Sequence, residues 1–127
     1  MKLLISSLFL FIASVTLAQA DITPKVVDAI KKGDATAMGA HFMSPVDITL
    51  NGKDETLNRD QAVAALAKFF ATHSVKSFEL KHQGTSKLED QFRIGELMTT
   101  AGEFRVTFFM KKNGTAMQIK QLTIEED

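Results

Sequence analysis

The 127-residue chain has no cysteine, no tryptophan and no tyrosine, only two prolines, and no excess of charge, with 15 Lys+Arg against 15 Asp+Glu. Each absence closes a class. Without cysteine there is no disulfide framework, no thiolate nucleophile, no thiolate metal ligand and no sulfur to carry a lipid. Without tyrosine no phenol can donate a proton in a site. Balanced charge gives no field to draw in nucleic acid or an anionic membrane. The basic residues are dispersed, so nucleic acid is not an expected partner. No glycine-rich phosphate loop and no local Ser/His/Asp signature occurs.

Long apolar runs are scarce too, and the one present opens the chain: MKLLISSLFLFIASVTLAQA. Lys2 supplies a positive start, Leu3 to Leu17 is apolar, and Ala18-Gln19-Ala20 is an A-x-A cleavage pattern. The run is shorter than the roughly 20 residues that span a bilayer. Ser6, Ser7, Ser14 and Thr16 dilute it further. Residues 1–20 therefore read as a signal peptide cleaved near Ala20, with export to the periplasm or the outside of a Gram-negative cell. Residues 21–127 suit one domain with a single core. Cleavage removes only Lys2 among the charged residues, so the processed chain stays within about one charge of neutral.

Thr23-Pro24 starts a helix, with proline tolerated in the first turn, and Ile22, Val26, Val27 and Ile30 line one face. Gly33 ends it. Asp34 caps a second short helix through Met38 to Phe42, which Pro45 stops. Val46 to Leu50 alternates and meets Asn51-Gly52, a hairpin turn, with a short return strand near Asp54 to Leu57. Asn58-Arg59-Asp60-Gln61 is a capping-box-like start for a helix to about His73. Its Val63, Leu66, Ala67 and Phe70 recur at helical spacing. Four strands follow: Ser77 to Thr85, Gln91 to Thr100, Glu103 to Lys112 and Thr115 to Glu125. Helices on one face of a curved antiparallel sheet of about six strands make an α+β domain.

The stretch EFRVTFFMKK forces a choice, because adjacent Phe108 and Phe109 must point to opposite faces of a strand. A two-residue loop at Asn113-Gly114 pairs Lys112 with Thr115, Met110 with Met117, Phe108 with Ile119 and Val106 with Gln121. Phe104, Val106, Phe108, Met110, Met117 and Ile119 then share the face toward the helices. Phe109 sits outside with Arg105, Thr107, Gln118 and Lys120. Leu122 and Ile124 fall outside as well unless a bulge intervenes. The turn at Ala101-Gly102 is open. A two-residue loop pairs Thr100 with Glu103 and turns Arg93, Gly95, Leu97 and Thr99 inward, with Ile94 outside. A three-residue loop pairs Thr99 with Glu103 and turns Phe92, Ile94, Glu96 and Met98 inward.

This order of elements resembles the nuclear transport factor two-like superfamily, the cystatin-like cone of curved sheet closed by N-terminal helices. The pattern HQGTS, then IG, then TT-x-G, then an FRV strand ending KKNG, is similar to a family of small exported bacterial proteins of unknown function within it. The resemblance implies a cone lining made here by Phe70, Leu80, His82, Val106, Phe108, Met110 and Ile119, taking a small apolar ligand. It also implies a homodimer through the outer sheet face, for which Ile94, Phe109 and Leu122 are the candidates. Some superfamily members are cofactor-free isomerases or dehydratases that use an acidic base with tyrosine or acid donors, and the phenolic donor is missing here. The alternative to such a cone holding ligand is one filled by its own phenylalanines and by Met38, Met43, Met98, Met110 and Met117.

His41, His73 and His82 share no metal-ligand spacing, so no metal and no cofactor is expected. His73 reads as a complement to a helix end. His82 follows Phe78 and Leu80 on an inward pattern. With Asp47 or Glu96 it is the candidate base of an alternative reading, a cofactor-independent isomerase, dehydratase or hydrolase. The leading expectation is a non-enzymatic, exported module that binds a small ligand or a partner.

Overall fold

The computed structural model describes residues 21–127, and the signal-peptide reading of residues 1–20 lies outside them. The order is α1 (Thr23–Lys32), α2 (Ala35–Gly39), β1 (Phe42–Leu50), β2 (Lys53–Leu57), α3 (Arg59–Thr72), β3 (Val75–Thr85), β4 (Gln91–Thr99), β5 (Gly102–Asn113) and β6 (Ala116–Glu126). The strands form one sheet in the order β2-β1-β6-β5-β4-β3. It is mixed rather than wholly antiparallel, because β1 runs parallel to β6. The sheet stays open, with β2 and β3 at its edges.

Local chemistry sets the helix ends. Gly33 adopts φ 62, and its N–H closes α1 on the Ala29 and Ile30 carbonyls, a conformation glycine takes without steric cost. The Asp34 carboxylate accepts from the Ala37 N–H at 3.0 Å and caps α2. Asn58 and Gln61 exchange side-chain bonds with each other's backbone N–H groups at the start of α3, at 2.8 and 3.1 Å. α2 is shorter than expected, because Phe42 already belongs to β1, which continues through Pro45. The β1–β6 register shifts between Phe42 and Asp47, so proline sits where the ladder is already interrupted.

The core is a single apolar cluster between the helices and the inner sheet face. It joins Val26, Ile30, Met38, Leu66 and Phe69 from the helices to Phe42, Ile48, Leu97, Phe104, Phe108 and Ile119 from the strands. Two bulges decide what else enters it. β5 pairs with β6 from Asn113↔Ala116 to Met110↔Ile119, then shifts by one residue, so that Phe109 faces Gln121 and Phe108 faces Leu122. Lys120 is the extra residue. The hairpin loop is Gly114–Thr115 rather than Asn113-Gly114, which moves the expected pairings by two residues and keeps their facing, so Met110 meets Ile119 instead of Met117. Beyond the bulge Leu122 and Ile124 turn inward, 0% and 1% exposed. On β3 the register slips between Leu80 and His82, leaving Lys81 unpaired.

The β4–β5 loop is Thr100–Ala101, since Thr99 pairs with Gly102. It lies one residue earlier than the expected two-residue loop and is one residue shorter than the expected three-residue loop. Its facing is that of the two-residue reading, with Arg93, Gly95, Leu97 and Thr99 buried and Ile94 on the other side.

Candidate binding surface

The side chains expected to line a ligand cone separate in the structure. Val106, Phe108, Met110 and Ile119 are at most 1% exposed and pack against one another in the core. Phe70 is buried at the rim, where it borders a shallow depression with Gly33 and Ala67. Leu80 is partly buried against the cluster. His82 does not join them. The bulge at Lys81 rotates it to the outer face, where it is exposed and pairs with Ile94.

The inner face instead carries a buried guanidinium that sequence reasoning placed in only one of two registers. Arg93 is 7% exposed. Its Nε donates to Thr23 Oγ1 at 3.1 Å, Nη1 to the Phe92 carbonyl at 2.9 Å and Nη2 to Gln91 Oε1 at 3.1 Å. Asp21 Oδ1 lies 3.9 Å from Nη2 and accepts from the Thr23 N–H at 2.9 Å. Desolvation opposes the Asp21 carboxylate, but the Thr23 hydrogen bonds and the Arg93 charge outweigh it and hold its pKa below the usual aspartate value. The arrangement ties the start of α1 to β4, which is a structural task.

The remaining histidines also have structural surroundings. His73 closes α3, with Nδ1 at 2.8 Å from the Phe69 carbonyl, and its ring stacks on Phe69 at 4.1 Å. The same ring meets Phe104 edge-on at 5.2 Å. At His41, burial, aided by the nearby Lys25 charge, pulls the pKa below the ordinary histidine value. Among the described residues no three His, Asp or Glu side chains gather as a metal set.

The outer face of the sheet is more distinctive. Phe92 on β4 faces Phe109 on β5, ring centroids 6.0 Å apart and planes tilted by 45°. Both rings are half-buried, as is Ile94 two residues along β4. A Cβ on Gly84 would stand 2.7 Å from Phe92 Cζ, so the glycine is what lets that ring lie flat on β3. Leu122, expected here, is absent for the reason given above. Phe92, which the three-residue-loop register would turn inward, takes its place; the signal for it is its alternation with Ile94 once the β4–β5 facing is known.

Charge is unevenly spread along this face. At the end near the β5–β6 hairpin stand Lys111 and Lys120, the latter paired with buried Asp90. At the other end stand Glu79, Glu96, Glu103, Glu125 and Asp127, offset by Lys81 and Arg105. Lys81 reaches Glu79 at 3.3 Å and Glu96 at 4.0 Å, and Arg105 reaches Asp127 at 3.4 Å. A cleft of about 470 Å³ opens there, lined by His82, Glu96, Arg105 and Asp127 among others. It brings His82 and Glu96 together. Asp47 is not part of it: it accepts from the Thr56 hydroxyl at 2.8 Å in a separate depression over β1 and β2.

A family model for a domain of unknown function, DUF4783, matches residues 23–125. The chain belongs to the DUF4783 family. A crystal structure of a DUF4783 family protein from Bacteroides uniformis is 32% identical, with a TM-score of 0.79, over 84% of this chain and 98% of that one. Two more distant structures share the fold alone. One is a chain carrying NTF2 in its name, 17% identical with a TM-score of 0.63 over 81% of this chain and 92% of that one. The other is a cystatin-like-fold domain of unknown function from Nostoc punctiforme, 15% identical with a TM-score of 0.65 over 84% of this chain and 73% of that one. No curated protein matches the chain. This DUF4783 domain is thus an NTF2-like, cystatin-like α+β fold. Among its described residues no helix is long and apolar enough to cross a membrane.

Proposed function

We propose that this DUF4783 protein is an exported, non-enzymatic binding module whose recognition surface is the outer sheet face, and that a second copy of the chain occupies it. The observation that carries the reading is the Phe92–Phe109 ring pair beside Ile94, half-buried on that face. Grouped exposed apolar side chains mark association sites, whereas single ones are ordinary. The charge distribution supports a second copy. Two sheets stacked about a two-fold axis, strands opposed, set the lysine end of one over the glutamate end of the other. An isologous interface requires such self-complementarity. Export rests on Lys2, the apolar run Leu3 to Leu17 and the Ala18-Gln19-Ala20 pattern.

Sedimentation velocity of Phe109→Glu against the parent tests the association. The parent sediments as a dimer and the variant as a monomer with unchanged circular dichroism. A dimeric parent whose variant keeps its mass removes Phe109 from the interface. The enzymatic alternative retains one favourable observation, the shared cleft of His82 and Glu96. That cleft is open to solvent and His82 is exposed, unlike the apolar, water-excluded sites in which acid–base pairs are tuned. Asp47 stands apart from it as a helper.

A further inference from the structure

A groove on the opposite side of the molecule has a composition that the outer face does not explain. It lies between α3 and the β1–β2 hairpin and measures about 350 Å³, within the roughly 300–1,000 Å³ typical of small-molecule sites. Its floor includes Leu50, Leu57 and Ala65, and Lys53, Lys68 and Glu55 stand around it. Elsewhere α3 fills its interface with the sheet by Leu66, Phe69 and Phe70, all buried. At the groove the helix offers alanine instead, and Leu50 and Leu57 remain only partly covered.

Apolar side chains left wet beside a gap are stabilised by whatever apolar matter fills it. The surrounding charge selects the occupant. Lys53 is already paired with Glu55 at 2.7 Å. Lys68 forms no ion pair among the described residues. An aliphatic chain lying on the leucines with an anionic head at Lys68 satisfies both features. We infer that this groove binds a free medium-chain carboxylate, tail between α3 and the β1–β2 hairpin and head at Lys68. The site is independent of the outer-face association, and neither requires the other.

Titration calorimetry of the full chain with decanoate, and with decylamine as its cationic counterpart, tests the assignment. Decanoate binds saturably at one site per chain and decylamine does not. Lys68→Gln weakens decanoate about fivefold, the scale of one exposed ion pair. Ala65→Leu, a good helix former placed in the gap, abolishes binding. No saturable decanoate binding, equal binding of decylamine, or an unchanged isotherm in both variants overturns the site. Should Ala65→Leu fail to fold, the Lys68→Gln isotherm and the decylamine comparison still decide.

Discussion

Replacing Gly95 with alanine pushes one methyl group from β4 into Phe78 and the Glu79 backbone of β3. A Cβ there would stand 2.5 Å from Phe78 Cζ and 2.7 Å from the Glu79 carbonyl oxygen. Phe78 is 4% exposed in the core, and the carbonyl belongs to the paired backbone, so neither can step aside cheaply. Overpacking of this kind costs about 1–3 kcal/mol. Removing a glycine from a strand interior returns about 0.5–1 kcal/mol. The net expectation is a loss of about 1–2 kcal/mol, or roughly 5–15 °C in Tm for a domain of this size. Gly84→Ala is the matched control. Its Cβ would meet only the far edge of the Phe92 ring, at 2.7 and 2.9 Å. That ring is half-exposed and can turn, so the change stays within about 0.5 kcal/mol of the parent. With no tryptophan in the chain, urea melts followed by far-UV circular dichroism are the assay. Equal stability for Gly95→Ala and the parent, or a greater loss in Gly84→Ala, refutes the close approach drawn here.

Two further outcomes follow from the same geometry. Leu122→Ala lowers stability by about 2–5 kcal/mol in chemical denaturation, because the side chain is fully buried by the Lys120 bulge; a change below about 0.5 kcal/mol would return Leu122 to the outer face. His41 has a depressed pKa in the fold, so the unfolded chain binds its proton more readily. Its stabilising effect is complete above the ordinary histidine value near 6.5 and is lost as pH falls through the lower folded value. Tm measured from pH 8 to pH 5 should therefore drop more in the parent than in His41→Gln, and parallel curves would contradict this.

The elements were legible because their signals are local. The Gly33 and Asn58 caps and the Asn51-Gly52 turn announce themselves in a few residues, and α1 and α3 carry helical spacing. The strand faces were legible only up to the bulges. One extra residue reverses every side chain beyond it, and nothing in the Leu80-Lys81-His82 triplet marks one. At β6 a trace exists: Lys120 and Gln121 together separate Ile119 from Leu122, breaking strict alternation. These two slips removed His82 from the interior and Leu122 from the exterior. The β4–β5 loop was off by one residue in both readings, yet a shift that preserves parity preserves facing, so Arg93 and Ile94 fell as one alternative had them. Phe92 as the partner of Phe109 needed the β4–β5 register, which only long-range pairing supplies.

The outer-face association is tested most directly by exchanging its charges. Lys111→Glu makes the face acidic at both ends and Glu103→Lys makes it more basic, and in a two-fold dimer each change acts twice. Each variant alone should sediment with weakened self-association, and an equimolar mixture should form a heterodimer at the parent's affinity. If both variants dimerise as tightly as the parent, or the mixture gains nothing, opposed-strand stacking of the two sheets is wrong.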